Sequence, residues 1–422
     1  MPPPLAEWEQ RELHGLRLTG SDRELLESLA NGKRLSFSEH GDGVTISARG
    51  WIGVVRLQAC TIRVVPRLID GHRSLVKMLA FLGHFSLLKQ LDRDAPFLEN
   101  DCDLFDLIAL LLARECNRVA QRGPLADYEY QRDELALLRG RLDAKAQAIR
   151  KFGRVDTLVC EFDERVTDVP ENRWLLRALR VARRRVEQQA VRDHVGRALG
   201  TWEEVCTDDS SEALPKPEFS RANAHYRSAL SLAYLILDGT TASDLLTSGK
   251  VGGFSFMLSM PRLFEDFVAR LVQSVVPVTC RVEPQRRERS VLWDVVNNES
   301  FKTVRPDLLV TSGDGKTCLP IDAKYKDYAS ESLGSSDLYQ GAIYALAMAR
   351  CRVPGQAPTC LMLYPVPRGG QLRQRVQVRL GGGALAEVDA HGIPVDDFLD
   401  PPATETPGLL WSGRVRELVA SA

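Results

Sequence analysis

The chain has 422 residues, 44% of them hydrophobic and 26% charged, an ordinary globular composition with length for two or three domains. A formal net charge of −1 excludes a global positive field, so any nucleic-acid contact must come from local basic patches. Nine scattered cysteines without a C-x-x-C pair point to neither a zinc site nor a disulfide framework and fit a reducing cytoplasm. The first residues do not read as a signal peptide, and the longest apolar stretch is too short to span a bilayer.

In chain order, residues 1–100 read as a small β-rich module. Arg34-Leu-Ser-Phe-Ser, Gly43-Val-Thr-Ile-Ser, Trp51-Ile-Gly-Val-Val-Arg-Leu and Thr61-Ile-Arg-Val-Val-Pro are short, β-branched and punctuated by glycine, as in a barrel or meander. A helix over 74–87 follows. Residues 101–245 read as mainly helical. A helix over 104–122 stops at Gly123-Pro124, a polar-faced helix interrupted near Gly140 runs over 127–150, a basic helix over 171–197 and an apolar-periodic helix over 225–237. Residues 246–422 read as a mixed-sheet α/β domain. It opens on a helix from Pro261 with an apolar stripe of Phe264, Phe267, Val268, Leu271 and Val275. Strands are expected over 278–283, 306–311, 318–326, 359–365 and 376–380, with a helix from Asp337. Residues 396–407 read as loop, and 409–419 as strand or helix. The fold class is therefore a multidomain α+β and α/β chain.

The densest chemistry lies in the third region. Arg305-Pro-Asp-Leu-Leu-Val-Thr and Cys318-Leu-Pro-Ile-Asp-Ala-Lys-Tyr-Lys326 flank a Ser-Gly-Asp-Gly-Lys turn, a strong hairpin signal. Strand alternation puts Asp322, Lys324 and Lys326 on one face and Ile321, Ala323 and Tyr325 on the other. Asp307 opens the first strand where the second finishes, so two carboxylates and an ammonium converge. Asp307, Asp322 and the carbonyl of Ala323 offer oxygen ligands to a hard divalent cation, Mg²⁺ with Mn²⁺ as a substitute. Such a cation activates water against a phosphodiester, and Lys324 can orient the nucleophile or neutralise the transition state.

Glu265, on the preceding helix, can add a ligand; its plain alternative is a surface acid favoured by the helix dipole. Gln340, one turn into the later helix, can position water or phosphate, or be a polar surface residue. Two further Asp-x-Lys triplets have local explanations, Asp143 in a charged stretch and Asp314 in the hairpin turn. Arg180, Arg183, Arg184 and Arg185 give the best basic patch for nucleic acid or partner, against the alternative of a solvated charged helix. Lys326 is a further candidate contact. No G-x-x-x-x-G-K-[ST] occurs, so no nucleotide site of that kind is expected on this chain.

The Arg305-Pro-Asp…Ile-Asp-Ala-Lys-Tyr-Lys pattern, with Asp337-Leu-Tyr-Gln340 after it, resembles the PD-(D/E)xK nuclease domain of the McrC family, the nuclease subunit of McrBC-type modification-dependent restriction systems. Phe254-Ser-Phe-Met-Leu-Ser-Met-Pro-Arg-Leu-Phe-Glu-Asp-Phe-Val268, Leu138-Arg-Gly-Arg-Leu142, Cys160-Glu-Phe-Asp-Glu…Asp168-Val-Pro-Glu-Asn-Arg173 and Gly50-Trp-Ile-Gly-Val-Val-Arg-Leu57 extend the resemblance over nearly the whole chain. It implies that Asp307, Asp322 and Lys324 are catalytic. It also implies a separate McrB-like AAA+ GTPase hexamer as partner, docked through the first two regions, and double-stranded DNA, methylated in some systems, as substrate. One active site cuts one strand, so a second copy is implied for double-strand cleavage. Two other readings remain open: a docking subunit with a vestigial nuclease site, and a stand-alone nuclease.

Overall fold

The computed structural model describes residues 2–69, 71–79, 81–82, 103–151, 156–207, 214–215, 223–239, 254–315, 317–328, 332–348, 357–367 and 373–399. The chain forms two compact units, one of Met1–Leu98 with Gly252–Ala422, the other of Glu99–Val251.

The N-terminal module holds β1 (Leu5–Ala6), β2 (Gln10–His14), α1 (Gly20–Asn31), β3 (Leu35–His40), β4 (Gly43–Ala48), β5 (Trp51–Arg56), β6 (Thr61–Val65) and α2 (Gly71–Leu79). Helix α1 starts on a capping box between Thr19 and Asp22. Asp22 is fully buried and also accepts the Gln58 N–H at 2.9 Å, which ties the helix start to the turn after β5. Leu26, Leu29, Leu35, Ile46, Val55 and Val64 build the core beneath it. Helix α2 occupies part of the expected 74–87 span; residues beyond 82 of that span lie outside the described residues.

The second unit mixes helix and sheet. Helix α3 (Leu104–Arg122) ends at Gly123, as the Gly-Pro pair requires. The helix expected over 127–150 is corrected. Residues Asp127–Leu135 form β7, which pairs antiparallel with β9 (Leu158–Val166); β8 (Arg141–Leu142) takes the other edge of β9, and only Ala144–Arg150 is helical, as α4. Cross-strand pairing overrides the local pattern here, from Asp127 opposite Val166 to Leu135 opposite Leu158. The basic helix expected over 171–197 is two helices, α5 (Pro170–Arg185) and α6 (Gln189–Val205). Buried Asp106 braces the break: its carboxylate accepts the N–H groups of Glu187 (3.2 Å) and Gln188 (2.8 Å), the two residues before α6, across 81 and 82 positions of sequence. Helix α7 (Arg227–Gly239) packs on α3 and α5.

The chain then returns to the first unit as β10 (Phe254–Ser259), the antiparallel partner of β5 from Phe254 opposite Arg56 to Ser259 opposite Trp51. The expected division between 1–100 and 246–422 is thus replaced by one unit with a shared sheet, ordered β1-β6-β5-β10. Helix α8 (Met260–Val275) follows β10 directly. Six strands form the main sheet in the order β11-β14-β15-β16-β18-β17. They are β11 (Arg281–Pro284), β14 (Leu308–Thr311), β15 (Cys318–Ala323), β16 (Thr359–Val366), β17 (Arg373–Leu380) and β18 (Gly383–Pro394). The hairpin of β14 and β15 has the expected antiparallel register, Leu308 opposite Ile321. β15, β16 and β18 run parallel. The separate hairpin β12 (Glu288–Asp294) and β13 (Glu299–Val304), together with β18, adds to the sequence expectation. Helix α9 (Ser335–Met348) lies on the sheet face of Met362 and Val388, where a Cβ on Gly341 would meet Val388 at 3.0 Å. Helix α10 (Val395–Leu399) occupies the start of the expected 396–407 loop, and the element expected over 409–419 lies outside the described residues.

One glycine makes the shared sheet possible. A Cβ on Gly53 would lie 2.0 Å from the Phe256 carbonyl oxygen, and its φ of 142° is closed to other side chains. Gly53→Ala is expected to cost about 3 kcal/mol in urea unfolding. Gly20→Ala, where nothing lies within 4 Å, is the near-neutral control.

Candidate metal and catalytic centre

Asp307 immediately precedes β14, and its Oδ2 accepts the Ala323 N–H at 2.7 Å. That bond fixes the acid across the end of β15. Asp322 lies one residue earlier on β15 and is 1% exposed. Its Oδ2 is buried and pairs with Lys324 Nζ at 2.9 Å. The Lys324 ammonium also donates to Gln340 Oε1 at 2.9 Å. Gln340 Nε2 donates to the Tyr344 hydroxyl at 2.6 Å, which donates to the Arg305 carbonyl at 3.0 Å. A chain of bonds thus runs from the residue before Pro306, through one turn of α9, to the lysine.

The electrostatics follow from burial and crowding. Burial, followed by repulsion from Asp307, pushes the Asp322 carboxyl up to about 7, with Lys324 partly opposing it. Burial, the largest single influence, would lower Lys324, but the charge and hydrogen bond of Asp322 together with Asp307 and Asp337 outweigh it and raise the ammonium, which stays protonated at neutral pH. Glu265, half-buried on α8, is pushed up to about 7 by burial and by Asp307. The Tyr344 hydroxyl is raised to about 12 by burial and by Asp322. Asp307, Asp322, Lys324, Glu265 and Gln340 therefore sense one another electrostatically or through hydrogen bonds. Among the described residues no group of three or more His, Cys, Asp or Glu is close enough to hold a metal, so the close acid pair is Asp307 with Asp322.

The McrBC family, described as McrBC 5-methylcytosine restriction system component, matches residues 46–365. The chain belongs to this family. No curated protein matches it. Among solved structures, a chain of the refined half-complex from the tetradecameric assembly of Thermococcus gammatolerans McrB AAA+ hexamers with bound McrC superposes with a TM-score of 0.62 at 17% identity, covering 93% of this chain and 94% of that one. A chain of the Thermococcus gammatolerans McrBC complex gives 0.48 at 19% identity, covering 65% of this chain and 88% of that one. The first likeness shows a shared fold over almost the full length. All five acid, lysine and glutamine candidates of this McrBC-family chain lie inside the matched span.

The other sequence candidates are placed differently. Lys326 Nζ pairs with Asp337 Oδ2 at 2.7 Å, and Tyr328 donates to the same oxygen. Burial would raise Asp337, but those two partners outweigh it and hold its carboxyl low. Arg180, Arg183, Arg184 and Arg185 sit in the other unit. Arg180 lies 3.7 Å from Glu203, Arg184 Nε donates to the Arg180 carbonyl, and Arg183 lies over Gly196 of α6. Asp143 caps α4 and Asp314 accepts from Ser312 inside the hairpin turn, so both decoy triplets have local roles. Tyr344 is the residue sequence reasoning missed; its spacing of four from Gln340 on one helix face is the signal that finds it.

The raised Asp322 carboxyl has a consequence for stability. Its folded value of about 7 exceeds the unfolded 3.8, so the folded state holds a proton that the unfolded state releases between those values. Stabilisation from this group is full below pH 3.8 and is lost as pH rises through 7. In metal-free protein, Asp322→Asn is expected to reduce the fall in unfolding free energy between pH 4 and pH 7, by up to about 1.4 kcal/mol per pH unit. Urea titrations across that range read the slope.

Proposed function

We propose that this chain is the McrC-type subunit of a McrBC-type restriction complex: a divalent-metal-dependent DNA endonuclease of the PD-(D/E)xK kind. It cuts when a McrB-like AAA+ GTPase hexamer, whose hydrolysis it stimulates, delivers double-stranded DNA. The observation that carries this reading is the buried Asp322 carboxylate, crowded by Asp307 and paired with the Lys324 ammonium at 2.9 Å. A buried carboxylate raised by its burial and by a second acid beside it is the arrangement a divalent cation relieves.

Asp307, Asp322 and the Ala323 carbonyl would hold Mg²⁺, and Glu265, which senses Asp307, would add negative charge beside them rather than a direct ligand. When bound, the ion lowers the pKa of a water and stabilises charge on the phosphoryl oxygens. Asp307, pinned by the Ala323 N–H, keeps its carboxylate in place as charge develops. Lys324, held charged beside Asp322 and aimed by Gln340, orients the attacking water and offsets charge on the phosphoryl group. Tyr344 fixes the Gln340 amide so that its oxygen, not its nitrogen, faces the lysine. Exposed Arg183 and Arg184 offer phosphate or partner contacts in the second unit. The fold shared with a chain of the McrB–McrC assembly supports the partner class.

With a McrB-type GTPase, GTP, Mg²⁺ and methylated plasmid DNA, Asp307→Ala is expected to abolish cleavage while stimulation of GTP hydrolysis persists. Lys324→Gln is expected to slow cleavage by about 10²–10⁴-fold. Gel-resolved cleavage and phosphate release measure the two activities. Cleavage surviving in Asp307→Ala sinks the site assignment. Wild-type protein that stimulates hydrolysis without cutting identifies a docking subunit, and cutting without partner or GTP identifies a stand-alone nuclease.

A further inference from the structure

Tyr325 follows Lys324 directly, and strand alternation turns it to the opposite face of the sheet, toward α8. It is buried, and its hydroxyl donates to Glu7 Oε2 at 2.9 Å across 318 positions of sequence. Its ring meets Trp8 at 5.6 Å and Phe264 at 5.8 Å between centroids. Phe264 immediately precedes Glu265. One side chain therefore touches the N-terminal segment while its own backbone adjoins Lys324 and its ring adjoins the neighbour of Glu265.

The Glu7 end is equally fixed. Glu7 is 0% exposed, its N–H donates to the Val65 carbonyl at 3.1 Å, and Oε2 also accepts the Arg67 N–H at 3.1 Å. Oε1 is buried with no hydrogen-bond partner. Trp8 has a left-handed φ of 61°, held by a tight turn in which Ala6 N–H donates to Glu9 Oε2 at 2.8 Å and Glu9 N–H to the Ala6 carbonyl at 3.1 Å. Arg67 Nη2 lies 3.7 Å from Asp327, two residues beyond Tyr325.

A buried carboxylate oxygen without a donor costs about 1–3 kcal/mol, and a strained non-glycine residue a similar amount. Closing β1 on β6 requires neither, and an apolar pair of the same shape would pack without both penalties. What the polar pair adds is direction. A hydrogen bond fixes the tyrosine hydroxyl, two rings fix its plane, and the backbone at the end of β15 then has little freedom. The ammonium one residue earlier must meet Asp322 and Gln340 at 2.9 Å each.

We propose that Glu7 and Tyr325 form a latch through which the N-terminal strand positions Lys324. The proposal rests on the reading of Lys324 as the nuclease lysine. Neither latch residue touches substrate; both are positioning residues. The coupling runs in both directions, so a partner that displaces Leu5–Ala6 from β6 moves the lysine.

The test uses the full chain with carbon-13 at lysine Cε, the Lys324 signal being assigned by its loss in Lys324→Gln. Tyr325→Phe and Glu7→Ala are each expected to shift that signal, and the double variant to shift it no further than the larger single change. Glu7→Gln, which keeps an acceptor for the hydroxyl, is expected to leave it near the wild-type position. Unchanged far-ultraviolet circular dichroism and urea midpoint report intact folding. In single-turnover cleavage, Tyr325→Phe is expected to lose about 10- to 100-fold with DNA affinity unchanged. An unmoved Lys324 signal in Tyr325→Phe, or single shifts that add in the double variant, overturns the latch. If Tyr325→Phe does not fold, the Glu7→Ala and Glu7→Gln comparison decides by the same signal. The resonance reads the lysine whether or not the chain cuts DNA, so an inactive wild type refutes the nuclease reading and leaves the latch to its own result.

Discussion

The placement of Asp322 inside an apolar sheet is the constraint on which the rest of the centre depends. A carboxylate at that depth is costly unless it is paired, and a second carboxylate, Asp307, crowds it. Lys324 supplies the one close opposing charge, and a flexible lysine is useful there only if something aims it. Gln340 does so, Tyr344 holds Gln340, and the Arg305 carbonyl holds Tyr344. The helix Ser335–Met348 is therefore tied to the strand pair it serves through polar bonds as well as through Val388 and Met362. Even so the charges do not balance. One ammonium faces two acids, with Glu265 close enough to be raised by the nearer of them, which leaves the site short of positive charge.

The same logic explains why the N-terminal module and the sheet that carries the acids belong to one unit. Met260 N–H donates to the Gly50 carbonyl, so the helix that carries Glu265 begins on the N-terminal module. Pro261 packs within reach of Gly50, and Phe254–Ser259 completes the module's sheet. The position of Glu265 is thus set from the N-terminal side, while those of Asp307 and Asp322 are set by the main sheet. Tyr325 lies where those two frames meet.

The legible part of the sequence was the part whose partners are close in the chain. Asp307 and Asp322 sit on consecutive strands joined by a Gly-containing turn, so their convergence follows from alternation and register alone. Glu265 and Gln340 were legible as members of helices flanking that hairpin. What escaped has distant causes. The strand Asp127–Leu135 is polar on both faces and takes its conformation from Leu158–Val166. The break at Val186 is braced by a carboxylate at position 106. Glu7 carries no pattern at all: its role exists only because a tyrosine 318 residues later reaches it. The Arg-rich stretch was visible, but its division into two helices was not.

Charge placement also bears on the division of labour between this chain and a motor partner. Lys324 and Lys326, the lysines that follow the second acid, are each engaged by a carboxylate, Asp322 and Asp337. Phosphate affinity in protein–DNA contacts comes chiefly from cations able to displace the DNA's own counterions, and a lysine already neutralised by a buried acid contributes little of that. The acids themselves repel a phosphodiester until a cation sits between them. On the proposed nuclease function, a centre built in this way would favour cutting over capture. It suits a subunit to which DNA is delivered more than one that must find DNA unaided, and the net charge of −1 over the whole chain points in the same direction.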